Sequence, residues 1–218
     1  SSETVWPEQT REHRPWAYQW WMGSAVDEEN LKREFQRYRE AGLGGVHIIP
    51  IYGACGAEAR YIEYLSPRWM DMLHFAVTEA ERLDLGVDMT TGTGWCFGGP
   101  NIHGDCADAT LVGDLIDLKA GESLAGRIFK NSQAVMAFGP NGETVDLMKG
   151  LDPEDRLSWT APAGEWTVYV ISQKAVRQVK RAAPGGAGPM INPAYAGSLA
   201  VYLARFDAAF DHHPGSMP

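Results

Sequence analysis

Apolar positions along the first hundred residues alternate between a strand period and a helical one. Residues 15–22, Pro-Trp-Ala-Tyr-Gln-Trp-Trp-Met, are rich in strand formers and bounded by Pro15 and Gly23, which predicts a strand. Asp27 then stands where a helix cap belongs. Leu31, Phe35 and Tyr38 follow at helical spacing with charges between them, and Gly42 lies just past the end. Residues 44–52, Gly-Gly-Val-His-Ile-Ile-Pro-Ile-Tyr, predict a second strand buried on both faces, with Pro50 near its end because proline cannot donate to a ladder. Ser66-Pro67 opens a second helix carrying Trp69, Leu73, Ala76, Val77, Ala80 and Leu83 on one face. A third strand is expected over 86–91, with Asp88 buried and therefore in need of a partner. Helices of this length carry the chain between parallel neighbours, so the fold class is α/β, either a doubly wound sheet or a (β/α)₈ barrel. Periodicity does not choose between them.

From Asp108 the pattern shortens. Strand-like runs at 111–118, 127–129, 134–138, 144–148, 156–159 and 166–173 are separated by turn signals at Gly121, Pro140-Asn141-Gly142 and Ala163-Gly164. They predict a small antiparallel β module inserted after the third strand. A last helix is expected to start at Asn192-Pro193, with Leu199, Tyr202, Leu203, Phe206 and Phe210 as its apolar stripe, followed by a turn-like tail over 211–218. The expected division is 1–107 for the α/β part, 108–178 for the inserted module and 179–218 for a return segment and helix. Three parallel strands cannot close a barrel, which typically takes eight strands and about 250 residues. The chain is therefore expected to be the N-terminal portion of a larger polypeptide, or a truncated reading frame.

Charge and cysteine usage narrow the functional classes. Asp and Glu number 28 against 19 Lys and Arg, a net charge of −9, with no basic run. The electrostatic footprint for nucleic acid or an anionic membrane surface is missing. No stretch of about 18 consecutive apolar residues is present to span a bilayer. Nothing is laid out like a signal peptide, and the first residue is Ser1. Cys55, Cys96 and Cys106 are odd in number and lack CxxC spacing, and His212-His213 has no companion ligand, so no disulfide framework and no metal site is expected.

Eight Trp, eight Tyr and seven Phe accompany 24 Gly, and several of these aromatics sit beside glycines. Flat apolar faces next to tight turns suit a sugar site, although a buried Trp is more often simply core. Residues 91–100, Thr-Gly-Thr-Gly-Trp-Cys-Phe-Gly-Gly-Pro, follow the third strand at the end where α/β folds place ligands. This run lacks the Lys-Ser/Thr pair of a phosphate loop. Its rival reading is a structural loop whose Trp95 fills space. Trp20 and Trp21 must point to opposite faces of their strand, one toward a site and one under the helices, and the sequence does not say which. His47, alone in its strand, is either a satisfied interior histidine or a lining residue. The candidate sugar-lining residues are thus Trp20, Trp21, His47 and Trp95. Glycoside hydrolysis needs two carboxyl groups, and no acidic pair falls at two strand ends, so no catalytic residue is assigned.

Residues 15–22, then Ala41-Gly42-Leu43-Gly44-Gly45-Val46, then Leu65-Ser66-Pro67-Arg68-Trp69, then Gly92-Thr93-Gly94-Trp95 with Gly98-Gly99-Pro100, resemble in this order the N-terminal part of the α-L-rhamnosidase-like glycoside hydrolases of family 106. Val179-Lys180-Arg181-Ala182-Ala183-Pro184-Gly185-Gly186 resembles the family segment that returns from an inserted β module to the barrel. The resemblance implies an incomplete (β/α)₈ TIM barrel, its first three βα units in residues 1–107, with the antiparallel module inserted. It implies a bacterial, periplasmic or secreted multidomain enzyme that removes terminal α-L-rhamnose, or a related sugar, from plant polysaccharides or glycosides. Its partner is carbohydrate, and calcium assists substrate binding in the full-length enzyme. The catalytic glutamates are expected on later strands beyond Pro218, so this chain alone is expected to be inactive. The alternative is a carbohydrate-binding remnant without catalysis. Cys96 stands where related sequences commonly have proline, a change expected to touch only loop stiffness.

Overall fold

The computed structural model describes residues 5–174 and 177–216. Two compact units make up the chain, one from residues 1–108 and 177–218, the other from 109–176.

In the first unit, strands β1 (Trp16–Met22), β2 (Gly45–Ile51) and β3 (Gly86–Met89) alternate with helices α1 (Glu28–Glu40) and α2 (Pro67–Arg82). The strands form a parallel sheet in the order β1-β2-β3. Both helix starts follow from side-chain capping of otherwise orphaned N–H groups. The Asp27 carboxylate accepts from the Asn30 backbone N–H at 2.8 Å, and Ser66 Oγ accepts from the Trp69 N–H at 3.3 Å, with Pro67 in the first turn. One sheet face presents Gln19, Trp21, Val46, Ile48 and Pro50, all buried, as are Leu31 and Phe35 of α1 and Trp69, Met70, Leu73, Ala76 and Ala80 of α2. At the centre Trp21 meets Trp69 edge to face at 5.4 Å. A buried indole N–H needs an acceptor. Trp21 Nε1 donates to Gln19 Oε1 at 3.3 Å and Trp69 Nε1 to Ser24 Oγ at 3.0 Å.

The third strand is shorter than the expected 86–91. It ends at Met89, although the Thr90 N–H still donates to the Ile48 carbonyl at 3.1 Å before the glycine-rich run turns away. Asp88 is exposed, contrary to expectation, because it lies on the sheet face that carries no helix.

The second unit holds β4 (Thr110–Lys119), β5 (Ser132–Phe138), β6 (Thr144–Asp146) and β7 (Glu165–Lys174), an antiparallel sheet in the order β4-β7-β5-β6. Val135, Ala137, Trp166, Val168 and Val170 line its buried face, closed by Leu124, Phe129, Leu147 and Leu157. The runs 127–129 and 156–159 do not become strands. They share a single bridge, Ile128 with Arg156, because Gly126 (φ 84°), Asn131 (φ 61°) and Asp155 (φ 60°) adopt left-handed conformations that turn the chain out of any ladder.

Helix α3 (Ser198–Asp211), back in the first unit, starts six residues after the expected Asn192. The Asn192 side-chain oxygen accepts from the Ala194 N–H at 3.0 Å, an Asx turn that competes with helix entry. Its buried stripe is Tyr202, Phe206 and Ala209, while Leu199 and Leu203 face outward, so the helix is rotated from the expected register. The fold is mixed α/β. Among the described residues both sheets are open, with β1 and β3 as the edges of the first, and no closed barrel is formed.

Candidate functional site

Because paired residues of parallel strands point the same way, the helix-free face of the first sheet can be read in rows. The lowest row is Trp16, Gly45 and Gly86. A side chain on either glycine would collide with the Trp16 ring, so the glycines let that indole lie flat across the sheet. Above it stand Tyr18, His47 and Asp88, then Trp20 and Ile49. Tyr18 touches His47 edge-on at 5.6 Å and Trp20 at 5.9 Å. His47 Nε2 shares a 2.9 Å hydrogen bond with Thr90 Oγ1. This face is an aromatic strip with an oriented imidazole and hydroxyl in its middle. Tyr18 is 66% exposed and Trp20 47%.

Trp20 and His47 thus share the open face, while Trp21 does not. At 0% exposure, packed on Trp69, Trp21 is core and has no surface to offer a ligand, which corrects the expectation that it lines a site. Asp88 is the one acidic residue within the three strands, and no carboxylate occupies their last residues Met22, Ile51 and Met89.

The glycine-rich run after β3 uses its freedom against its own chain. Trp95 and Lys180 form an antiparallel bridge, with Trp95 N–H donating to the Lys180 carbonyl at 2.8 Å and the return bond at 3.2 Å. Gly94 (φ 70°) faces that carbonyl, Gly98 faces the Pro189 carbonyl, and Gly188 lies against the Gly99 backbone, each without room for a Cβ. Thr93 Oγ1 accepts from the Ala183 N–H at 2.5 Å. Cys96 has φ 58°, a value the proline ring cannot reach, so its presence concerns the path of the loop as well as its stiffness. Tyr202 of α3 donates to the Thr91 carbonyl at 2.5 Å, and burial pushes its phenol up to about 12.

Trp95 emerges from this clasp half exposed, at 50%. The Arg181 guanidinium lies 5.4 Å from its ring centre and 5.7 Å from that of Tyr52, just past β2. Tyr52 and Arg181 were not among the sequence candidates. Their association depends on the pairing of 92–99 with 178–190, a contact between segments about eighty residues apart that no local pattern encodes. Phe97, also 54% exposed, stands edge-on to Tyr202 at 5.8 Å beside a groove of about 400 Å³ lined by Thr91, Ile191, Pro193 and Leu203.

At the point where the first unit gives way to the β module, Asp108 and Arg177 form a forked ion pair, 2.7 and 3.1 Å. The Asp108 side chain is 8% exposed. The Arg177 hydrogen bonds hold its carboxyl below the usual carboxylate range, against the opposing effect of burial. A depressed carboxylate pKa contributes stability that is present above the unfolded-state value and is lost as pH falls through the folded-state value. Melting temperature measured against pH is therefore expected to fall less steeply below about pH 4 in Asp108→Asn than in the parent, while the variant is less stable near neutrality. Superimposable acid limbs in the two proteins would show that this pair carries no linkage.

The alpha-L-rhamnosidase family model of glycoside hydrolase family 106 matches residues 7–141, more than half of the chain. The chain belongs to this family. Among solved structures it resembles a rhamnosidase from Novosphingobium sp. PP1Y with a TM-score of 0.70 and 13% identity, covering 94% of this chain and 37% of that one. A Formosa agariphila protein, provisionally named a beta-glucuronidase, is 21% identical over 229 aligned positions, covering 84% of this chain and 20% of its own length. The chain thus spans a fifth of that relative and little more than a third of the rhamnosidase structure.

The resemblance noted above implies calcium in a full-length enzyme, and the donor set decides whether these residues would hold it. Among the described residues no group of three or more His, Cys, Asp or Glu side chains is placed to hold a metal ion, and the open face offers the single carboxylate Asp88. Hard cations take six or more oxygen ligands, usually with several carboxylates, so these residues do not fit calcium by themselves. No helix among the described residues is long and apolar enough to cross a membrane.

Proposed function

We propose that this family 106 chain supplies the first three βα units of a (β/α)₈ glycoside hydrolase barrel, residues 1–107, together with the inserted β module and, in 179–218, the return segment and a barrel helix. Trp20, His47 and Trp95 line its sugar site. The observation that carries this reading is the helix-free sheet face: Tyr18, Trp20, His47 and Thr90 stand together on it, while α1 and α2 cover the opposite face. In a barrel that face points inward, and ligands meet the C-terminal strand ends. Aromatic rings there stack on the apolar faces of a pyranose, and His47 and Thr90 supply hydrogen bonds to its hydroxyls.

The substrate class is a terminal α-L-rhamnoside, or a related sugar, of plant polysaccharides or glycosides, met outside the cell or in the periplasm. The catalytic acid and base reside on parts of the barrel outside these 218 residues. Glycosidic cleavage needs two carboxyl groups roughly 5–9.5 Å apart. Asp88 alone does not make that pair. Titrating the folded chain with rhamnose-terminated oligosaccharides is expected to shift the indole N–H signals of Trp20 and Trp95 in NMR spectra, with no release of free rhamnose. Indole signals indifferent to rhamnosides would overturn the sugar site. Turnover of an aryl α-L-rhamnoside, surviving in Asp88→Asn, would overturn the placement of the acid and base elsewhere.

A further inference from the structure

We infer that Arg181, clamped between Trp95 and Tyr52, is an anion-recognition point at this sugar site and binds the carboxylate of a uronic acid unit. The inference rests on the proposed sugar site and adds the charge of the ligand.

The backbone of Arg181 is held at several points. Its φ is 58°, in the left-handed region that a residue with a Cβ occupies only when its surroundings hold it there. Its carbonyl accepts from the Tyr52 N–H at 3.0 Å, the preceding residue is bridged to Trp95, and two residues later Ala183 is tied to Thr93 Oγ1. Gly94 lacks a side chain where the backbone of residues 180–182 passes. The guanidinium is thereby carried to two aromatic rings, at 5.4 and 5.7 Å. A cation–π contact of this kind engages the guanidinium charge and leaves its N–H donors available for a carboxylate, whose two oxygens match the guanidinium fork.

The neighbouring cations are already engaged. Arg177 is forked onto Asp108, and Arg205 donates to the carbonyls of Tyr64 and Gly185 at 3.0 and 2.8 Å. Arg181 and the exposed Lys180 have no carboxylate within 4 Å among the described residues. In a chain of net charge −9, which repels anions at long range, two adjacent uncompensated cations beside an exposed indole favour a ligand with a localised negative group and a sugar ring to stack. A uronide has both.

The test titrates the folded 218-residue chain with methyl glucuronide, methyl glucoside and methyl α-L-rhamnoside, following the Trp95 indole signal. The glucuronide is expected to bind at least about tenfold more tightly than the glucoside, the size of one charge-assisted fork. Arg181→Gln is expected to remove that preference, and Arg181→Lys to restore only part of it, because an ammonium lacks the fork. For the parent, added sodium chloride is expected to weaken glucuronide binding and not rhamnoside binding, a readout independent of whether the variants fold. Equal affinity for glucuronide and glucoside, with rhamnoside bound, overturns the anion point while the sugar site stands. Binding of no glycoside overturns both. Methyl glucoside sulfate is titrated as a fourth ligand, and its selection over the glucuronide overturns the carboxylate assignment.

Discussion

Trp21→Ala is expected to cost about 3–5 kcal/mol of folding stability, the usual range for removing a large aromatic side chain from a packed core. Trp21 has no exposed surface, packs edge-on against Trp69, and its indole N–H is matched to the buried Gln19 amide oxygen. Truncation would open a cavity against Trp69 and leave that amide without its donor, two separate penalties at one place. Since small domains are stable by only about 5–15 kcal/mol, the loss is a large share of the total. Trp20→Ala, one residue earlier, is expected to change stability by less than about 1 kcal/mol, because that ring is 47% exposed on the helix-free face. Urea unfolding followed by far-ultraviolet circular dichroism measures both. Equal costs would mean that the two faces of β1 are not differentiated as described. A destabilised Trp20→Ala with an unaffected Trp21→Ala would reverse their assignment.

The adjacent tryptophans also mark how far the sequence could be read. Strand alternation requires that they part, yet which one is buried depends on where α1 and α2 pack, and that is a tertiary fact. The strand and helix order of residues 15–89 was legible because Asp27, Ser66, Pro67 and Gly42 punctuate strongly periodic segments. The start of α3 was not. Asn192-Pro193 carries a good helix-entry signal, and the Asn192 side chain spends it on a local turn. Short β-like runs at 127–129 and 156–159 misled because propensity registers residue type and not the left-handed residues, Asn131 and Asp155, that interrupt a ladder. Asp88 sat in an apolar stretch and was expected to be buried, but a strand with helices on one side only has an open face as well.

At the candidate site His47 and Trp95 could be singled out by position, one in a strand and the other just past a strand end. Tyr52 and Arg181 could not, since the contact that unites them runs through the pairing of two glycine-containing segments. The glycines after β3 leave room for another backbone to approach closely. What they approach is the return segment, and Trp95 stands half exposed where this pairing leaves it.

Gly94→Ala tests that pairing. The residue has φ 70°, and a methyl group there would press into the Lys180 carbonyl, the same oxygen that accepts from the Trp95 N–H. The left-handed conformation alone costs an alanine about 1–2 kcal/mol. Relief of the clash requires the 180–182 backbone to retreat, which breaks the bridge and brings the total loss to roughly 2–4 kcal/mol, since an exposed turn and its hydrogen bonds are lost together. Gly104→Ala separates the two contributions, because Gly104 has φ 55° with open space where its side chain would go, so only the conformational cost applies. Melting temperatures are expected to rank parent, then Gly104→Ala, then Gly94→Ala. In Gly94→Ala alone the Trp95 indole signal is expected to move as Arg181 withdraws from its ring. If the two alanine variants melt together and the indole signal stays put, the return segment is not what holds Trp95 and Arg181 in place, and the glycines after β3 must be explained by something other than close packing against it.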